Sequence, residues 1–393
     1  MKIAYYADFY ATQRLVIGKV TKAQYVRLFA FSRFLFALCD ILKKLGFYSY
    51  KWYFYFSNTC FGFLGKNIDC IHFFNQIVLN NSVNWISQFE TGLPRYKTPT
   101  LRAIKAIANK NCKAILPLSR CAYNIELGIL EHFPKYKNEV IKKMFVLHPP
   151  QKLLVNDILG RSINDKLTFV FVGNDFFRKG GIEMLTAFEK AIANYKNESQ
   201  FNVNCLSGGY SLTIISQMYI GDYVTHSTEI HKKQALDFFK KNSAWIKFHN
   251  GLPNDKVLEI IRKSDIGLLP TKDDTYGYSV LEMQASGIPV ISTDIMALPE
   301  INNNECGWLI PVTKNKFGKA FFQTEEERAN LCREIENGLY SILVDIFSEY
   351  AVNGLSFVCK RAKKCLERIA REHNPVIYEK ILDKIISDRD SKV

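Results

Sequence analysis

The stretch "DIGLLPTKDDTYGYSVLEMQASGIPVIST", residues 265–293, decides the fold of this chain. An apolar run ends at Pro270, a polar loop follows, and a helical pattern stops at Gly287 before a β-branched run. A glycine just past a helix, followed by a proline, is a common stop signal. The stretch therefore predicts strand, loop, helix and strand, with the helix beginning near Ser279 at the carboxyl end of the first strand.

The same alternation of apolar runs and helical patterns extends along the chain. The predicted strands are 2–8, 50–56, 69–74, 83–89, 112–119, 143–150, 167–173, 201–207, 245–251, 265–270 and 288–293, and the predicted helices include 28–45, 99–110, 120–133, 181–195 and 255–264. Continuous apolar strands separated by helices indicate parallel sheets covered on both faces. The fold class is therefore α/β, with two doubly wound, Rossmann-like domains.

The segment "PPQKLLVNDILGRSINDK", residues 149–166, interrupts this pattern with prolines and polar residues, so it contains the predicted domain boundary. We expect a first, basic and aromatic domain over 1–155 and a second domain over 160–372. Residues 373–393 are expected to form a C-terminal helix, which packs back on the first domain, and a polar tail. At 393 residues the length suits two domains.

The net charge of +14 is concentrated in the first domain. Residues 1–150 hold 21 Lys and Arg against 7 Asp and Glu, whereas residues 151–393 hold 31 of each. Residues 29–56 also interleave Phe, Tyr and Trp with basic side chains, which is typical of a membrane surface. The alternative is that these aromatics are the core of a strand and a helix. No zinc spacing, RNP pattern or basic helix favours nucleic acid.

No stretch of the chain is long and apolar enough to predict a membrane span. The ten cysteines show no C-x-x-C pair, which predicts reduced thiols. The N-terminus has Asp8 where a signal peptide is apolar, so we expect a cytoplasmic protein on the inner face of the membrane.

Two segments of the second half carry residues suited to phosphate chemistry. "FVFVGNDFFRKGGIEMLTAF", residues 169–188, places Arg178 and Lys179 at the start of a helix, where two cations can meet a diphosphate. The N-terminus of the helix after Asp274 has N–H groups that are not used within the helix, and these could bind another phosphate oxygen of the same diphosphate. Asp274 and Glu282 could each instead have a purely structural role. Asp274 is a turn former, and Ser279 with Glu282 matches a capping box.

These segments resemble the nucleotide-sugar-binding domain of the retaining glycosyltransferases of family 4, which have the two-domain GT-B fold with a deep cleft between the domains. The residues that match are Gly173 to Gly180, the segment "FHNGLPNDKVLEII" (248–261), and an E-x7-E motif whose acids are Asp274 and Glu282. The likeness covers residues 165–310 and is weak in the first half. Two positions depart from the family: Asp274 replaces a Glu, and Asn174 replaces an Arg that commonly follows the strand glycine.

The resemblance implies a role for each matching residue. Lys179, helped by Arg178, would neutralise the leaving diphosphate, Asp274 would approach the donor sugar, and Glu282 would bind the ribose. The remaining nucleotide-sugar-binding residues are the strand-end pair Gly173 and Asn174 and the helix start with its backbone N–H groups, which comprises Tyr276, Gly277, Tyr278 and Ser279. We expect no metal or other cofactor, since the only Asp-x-Asp, at 388 and 390, lies in a polar tail.

In the first half, "VNWISQFETGLPRY" (83–96) brings Glu90 to the end of a predicted strand. Glu90 is a candidate to orient or deprotonate the acceptor hydroxyl. A salt bridge with Arg95, or a helix cap, is the alternative. His72, His148 and His249 are expected to be packed or surface side chains. The glycine-rich loop that family members carry after the first strand is missing here.

The prediction that follows is a retaining hexosyltransferase. It would move a sugar from a nucleoside-diphosphate sugar, with UDP as a candidate nucleotide, to a glycan or lipid-linked glycan in bacterial surface polysaccharide or lipopolysaccharide synthesis. Its other partner would be an anionic membrane surface. The alternatives are a membrane-docking binding module of GT-B fold without turnover and a nucleotide-sugar epimerase.

Overall fold

A computed structural model describes residues 2–6, 16–20, 23–28, 41–42, 44–46, 68–79, 83–95, 100–155, 166–197 and 209–387. The chain divides into two units, one comprising residues 1–152 and 372–393 and the other residues 153–371. The predicted strands 50–56 and 201–207, most of the predicted helix 28–45, and the two tail aspartates lie outside the described residues.

The first unit contains a parallel sheet in the order β2-β1-β3-β4-β5. Its strands are β1 (Lys2–Tyr6), β2 (Gln24–Leu28), β3 (Cys70–Phe74), β4 (Trp85–Phe89) and β5 (Cys112–Pro117). Its first described helices are α1 (Leu101–Ala108), α2 (Arg120–Leu130) and α3 (Pro134–Ile141). Every residue of β3 and β4 is buried, as expected for a sheet covered on both faces. The N-termini of α1 and α2 are capped by the hydroxyls of Thr100 and Ser119.

The second unit contains a parallel sheet in the order β11-β10-β9-β6-β7-β8. Its strands are β6 (Leu167–Val172), β7 (Tyr210–Ile215), β8 (Ile246–His249), β9 (Ile266–Leu269), β10 (Val290–Thr293) and β11 (Gly307–Ile310). Its helices are α4 (Gly181–Asn197), α5 (Glu229–Lys241), α6 (Asn254–Arg262), α7 (Tyr278–Ala285), α8 (Leu298–Ile301), α9 (Glu325–Asn353) and α10 (Ser356–Glu372). The strand order reverses between β6 and β9, and ligands of doubly wound sheets bind at the carboxyl ends of such a pair.

The last helix, α11 (Pro375–Ser387), packs on the sheet of the first unit. Tyr378 and Leu382 join the cluster of buried side chains that includes Ile86 and Leu116. The Tyr378 hydroxyl donates a hydrogen bond to Gln88 Oε1 at 3.3 Å. The end of the chain therefore completes the core of the unit in which the chain begins.

Several sequence predictions need correction. Residues 143–150 do not form a strand of the sheet. Beside β5 they make one bridge, from Met144 to Ile115, and one further bond from the Leu147 N–H to the Pro117 carbonyl at 3.0 Å, and the segment then ends in two prolines, which have no N–H to donate. The helix predicted from residue 28 is wrong at its first residue, since Leu28 closes strand β2. The sequence patterns also missed β7, β11 and the two long helices α9 and α10.

Candidate functional site

Two loops meet at the carboxyl ends of the central strands of the second sheet. Loop A (residues 173–180) follows β6, and loop B (residues 270–277) follows β9, its neighbour in the sheet. The backbone N–H of Lys272 donates to the Arg178 carbonyl at 2.9 Å. The loops that carry most of the predicted donor-binding residues are therefore bonded to each other.

Glycines allow this close approach. Gly180 has a φ of +80°, and a Cβ at this position would lie 1.9 Å from the carbonyl oxygen of Pro270. Gly277 has a φ of +85°, and its Cβ would lie 2.5 Å from a methyl carbon of Leu298. Any side chain would meet both a backbone conformation that favours glycine and a steric clash. Glycine at 180 is thus what lets loop A contact loop B.

Lys179 and Asp274 form an ion pair across the two loops. Both side chains are mostly buried, with 15% and 14% of their surfaces exposed. Asp274 Oδ1 also accepts the backbone N–H groups of Gly277 at 3.2 Å and Tyr276 at 3.4 Å. Burial raises the pKa of Asp274, but the charge and hydrogen bond of Lys179 outweigh it and leave the pKa below its usual value. Asp274 is therefore an anion held by donors suited to a phosphate.

Arg178 lies beside this pair and is oriented by two acceptors. Its Nε bonds Asp175 Oδ2 at 2.7 Å, and its Nη1 donates to the Asp273 carbonyl. Burial raises the pKa of the Asp273 carboxyl, while a hydrogen bond from Tyr223 acts in the opposite direction. The guanidinium is thus fixed between loops A and B, where its charge also helps to lower the pKa of Asp274.

The end of β6 makes room for Lys179. A Cβ on Gly173 would lie 3.0 Å from Cγ of Lys179, so glycine leaves the space that the lysine stem crosses. The Asn174 carbonyl accepts the N–H of Tyr219 at 3.0 Å and the hydroxyl of Ser216 at 3.2 Å. The Asn174 backbone therefore fixes loop A against the loop that follows β7.

Helix α7 begins at Tyr278, with Gly277 as its N-cap and no side-chain hydrogen bond at the cap. The capping-box interpretation is therefore wrong, because Ser279 lies within the first turn. Glu282 is half-buried on this helix. Of the predicted phosphate donors, the N–H groups of Tyr276 and Gly277 point to Asp274, whereas Tyr278 and Ser279 lie in the first turn, where N–H groups have no carbonyl four residues earlier in the helix.

In the first unit, Glu90 follows β4 and is 5% exposed. Its N–H donates to Asn75 Oδ1 at 3.2 Å, and its carboxylate lies 3.7 Å from Arg95 Nη1. The salt bridge that we considered as its alternative role is therefore present. Asn75 follows the neighbouring strand β3, so the structure brings two polar side chains to one sheet edge.

Glu126 is a further polar residue that sequence patterns missed. It lies in α2, is fully buried, and accepts the N–H of Leu93 at 2.8 Å, three residues beyond Glu90. Burial raises the pKa of Glu126 to about 8, although the bond from Leu93 lowers it. The loop after β4 is thus held by a carboxyl group that is neutral at pH 7. Nothing in the local pattern of a helix distinguishes this Glu from an exposed one.

The histidines do not form a shared site. His72 is buried, its Nδ1 lies 2.9 Å from the Tyr25 hydroxyl, and burial lowers its pKa to about 3. The half-buried His148 ring lies against His373, with 5.4 Å between centroids, and His249 is half-buried at the end of β8. Within the described part of the chain, no group of three His, Cys, Asp or Glu side chains is arranged to hold a metal ion.

A search of the described helices for membrane spans finds no single helix that is long and apolar enough. Residues 325–353 and 356–387 pass the same test only as a pair, bent by 113°.

Comparison with known proteins agrees with this architecture. Residues 160–338 match the model of the family described as Glycosyl transferases group 1. No curated protein matches the chain. The matched segment contains loops A and B and helix α7, so the second unit is similar to that family in the region where its charged residues meet.

Solved structures resemble the whole chain. HepE from Anabaena, crystallised with UDP, has a TM-score of 0.60 at 10% identity and covers 99% of this chain and 100% of its own. Trehalose-6-phosphate synthase, studied for glycosyl transfer with retention, has a TM-score of 0.60 at 12% identity, with full coverage of both chains. Pneumococcal GtfA, an O-GlcNAc transferase solved with UDP and GlcNAc, has a TM-score of 0.56 at 12% identity over 90% of this chain.

This chain spans 60% of the length of GtfA and 54% of that of TarM, another similar structure. The two parallel-sheet units have the fold of the GT-B glycosyltransferases. The protein is thus a GT-B fold protein whose second unit matches the glycosyl transferases of group 1.

Proposed function

We propose that this protein is a retaining glycosyltransferase that transfers a hexose from a nucleoside-diphosphate sugar to a glycan acceptor. The observation that carries the proposal is the Lys179–Asp274 ion pair beside Arg178, at the strand pair where doubly wound sheets bind ligands. The family match over residues 160–338 supports the same reaction class. Among the similar structures, HepE and GtfA were solved with UDP, which makes UDP the first donor nucleotide to test.

The ion pair gives a simple account of donor binding. Asp274 now accepts hydrogen bonds from Lys179 and from the N–H groups of residues 276 and 277. The donor diphosphate would replace Asp274 as the ion-pair partner of Lys179 and would bind at the N-terminus of α7, where the helix dipole is positive. Asp274 would then be released to accept hydrogen bonds from the sugar hydroxyls, and Glu282 would bind the ribose.

The chemical step needs no further cofactor. The bond from the sugar C1 to the phosphate oxygen breaks, and its electron pair leaves with the diphosphate, whose charge Lys179 and Arg178 stabilise. The acceptor oxygen bonds to C1 on the same face, and its proton passes to a phosphate oxygen. Glu90 of the first unit is proposed to orient the acceptor hydroxyl.

The test is turnover of a panel of nucleotide sugars by the purified full chain. Released nucleoside diphosphate is measured with and without glycan acceptors, and the anomeric configuration of the product is read by NMR. We expect one donor to turn over and the product to keep the donor configuration. Inversion would refute the retaining mechanism, and binding of a donor without any turnover would identify the chain as a binding module.

We also propose that the acceptor is lipid-linked, in bacterial surface polysaccharide or lipopolysaccharide synthesis, and that the first unit binds the cytoplasmic face of the membrane. The solvent-facing side of α11 supports this proposal. It exposes Val376 (47%), Ile377 (42%) and Ile381 (39%) together with Lys380 and Lys384. Apolar side chains beside lysines suit an anionic lipid surface, where each cation contributes about 1 kcal/mol. The excess of 14 positive charges in residues 1–150 acts in the same direction.

Cosedimentation with vesicles tests the membrane proposal. The protein should bind vesicles that contain phosphatidylglycerol, lose binding as salt is added, and ignore pure phosphatidylcholine. The variant Lys380→Glu/Lys384→Glu should bind more weakly. Lys360→Glu/Lys364→Glu, at the same spacing on the exposed face of α10, is the matched control. Equal binding by the two variants would refute a role for α11.

A further inference from the structure

A second ion pair connects loop B with helix α4, close to the proposed donor site. Lys272 of loop B and Glu183 in the first turn of α4 are bonded at 2.6 Å, and both side chains are 6% exposed. Lys272 Nζ also donates to the Phe177 carbonyl of loop A at 3.0 Å. Burial raises the pKa of the Cys332 thiol to about 12, and this thiol hydrogen-bonds Glu183. The pair is therefore buried and hydrogen-bonded on both sides.

Lys272 joins loop A to loop B at two points. Its side chain bonds the Phe177 carbonyl, and its own N–H donates to the Arg178 carbonyl at 2.9 Å. The hydroxyl of Thr271 reinforces this link, since it contacts the carbonyls of Arg178 at 3.3 Å and Asp273 at 3.0 Å. These bonds are made one to three residues before Lys179 on loop A and Asp274 on loop B.

The two charges are better explained by the positions that they fix in loops A and B than by a contribution to the free energy of unfolding. Replacement of a buried ion pair by apolar side chains of similar size is often neutral or stabilising, because both ions lose their hydration on burial. An ammonium group, in contrast, holds several acceptors at fixed distances. Here it holds the Glu183 carboxylate of α4 and the Phe177 carbonyl of loop A, and its chain belongs to loop B.

We infer that Lys272 and Glu183 are positioning residues that set the separation between Lys179 and Asp274, and thereby the geometry in which the donor diphosphate is bound. Neither residue is assigned to contact the donor. The inference rests on the proposed function, because its consequence is measured on donor binding and transfer. A shift of about 1 Å in bound geometry can cost on the order of 100-fold in rate.

The test compares the double variant Lys272→Met/Glu183→Leu with the wild-type full chain. We expect a melting temperature equal to or above the wild-type value, but weaker binding of the diphosphate that stabilises the wild type. The kcat/KM for the donor should fall about 100-fold, through both a higher donor KM and a lower kcat. The matched control is Lys190→Met/Glu336→Leu, an ion pair between α4 and α9 that is more exposed, which should leave all three values unchanged.

A double variant with wild-type kcat/KM would overturn the inference while the proposed function stands. A wild-type chain that binds none of the diphosphates overturns both. If the double variant does not fold, the charge swap Lys272→Glu/Glu183→Lys provides the same test. It keeps opposite charges but removes the ammonium group from the Phe177 carbonyl, so the same loss of kcat/KM is expected. Wild-type kinetics in the swap would refute the positioning role.

Discussion

The carboxyl edges of the two sheets differ in how their polar residues are held. In the second unit, Lys179 and Asp274 lie on loops that are bonded backbone to backbone, with a glycine of positive φ at their contact. In the first unit, the Glu90 N–H donates to the side chain of Asn75, which follows the neighbouring strand, and the Glu90 carboxylate pairs with Arg95 of its own loop, whose N–H donates to the Asn75 carbonyl at 3.3 Å. The contact between loops A and B requires glycine at position 180, whereas the contacts of Glu90 are made by residue types that form no recognisable local sequence motif.

The largest expected effect is that of removing the Lys179 cation. Lys179→Ala should lower donor turnover by about 10²–10³-fold, the cost of losing one preorganised group that stabilises charge on a leaving group. Initial rates of nucleoside diphosphate release measure this effect. Lys190→Ala removes an exposed lysine of helix α4 that pairs with Glu336 of helix α9, and it should leave the rate unchanged. Equal rates for the two variants would refute the catalytic assignment.

The contact between loops A and B can be broken by a single methyl group. Gly180→Ala combines a left-handed backbone with a clash against the Pro270 carbonyl, so it should reduce both the free energy of unfolding and diphosphate binding. Gly209→Ala is the matched control, because Gly209 has the same φ of +80° but only Lys166 side-chain carbons near 4 Å. The control should lose about 1–2 kcal/mol of stability. Urea unfolding compares them, and equal losses would contradict the steric account.

This difference explains how much of the molecule was predictable. The fold class, the second-unit strands around loops A and B, and the charged residues of these loops follow from residues 169–188 and 265–293, where glycines and prolines mark the backbone. By contrast, Asn75 and Glu126 act through bonds to residues 15 and 33 positions away, which no local pattern records. The capping-box interpretation failed because Gly277, with its positive φ, is the N-cap of the helix, two residues before Ser279.

A smaller effect is expected at Glu90. Glu90→Gln should lower kcat by less than the 10²–10⁴-fold typical of a lost general base, because the leaving phosphate can accept the proton. The acceptor KM should rise, since the variant weakens acceptor orientation. Arg95→Gln removes its ion-pair partner and serves as the comparison. A loss of turnover as large as that of Lys179→Ala would instead make Glu90 the base.

A separate prediction concerns the pH dependence of stability at Glu126, which lies outside the proposed donor site. Its pKa is about 8 in the fold, above the ordinary value of about 4.3, so the folded state retains a proton that the unfolded state has lost. Its contribution is complete below pH 4 and is lost as the pH rises towards 8. Glu126→Gln should therefore melt higher than the wild type at pH 8 and at the same temperature near pH 4. Parallel melting curves across this range would contradict the neutral carboxyl.

The most direct test of the central claim is the thermal stability of the wild type and of Lys179→Met in UDP, GDP, ADP and CMP. A diphosphate at 100 times its dissociation constant should stabilise the wild type by about 2.7 kcal/mol. The account predicts a shift with one diphosphate, the loss of that shift in Lys179→Met, and a full shift in Lys190→Met. No shift for the wild type, or an equal shift in Lys179→Met, would contradict a donor site at loops A and B.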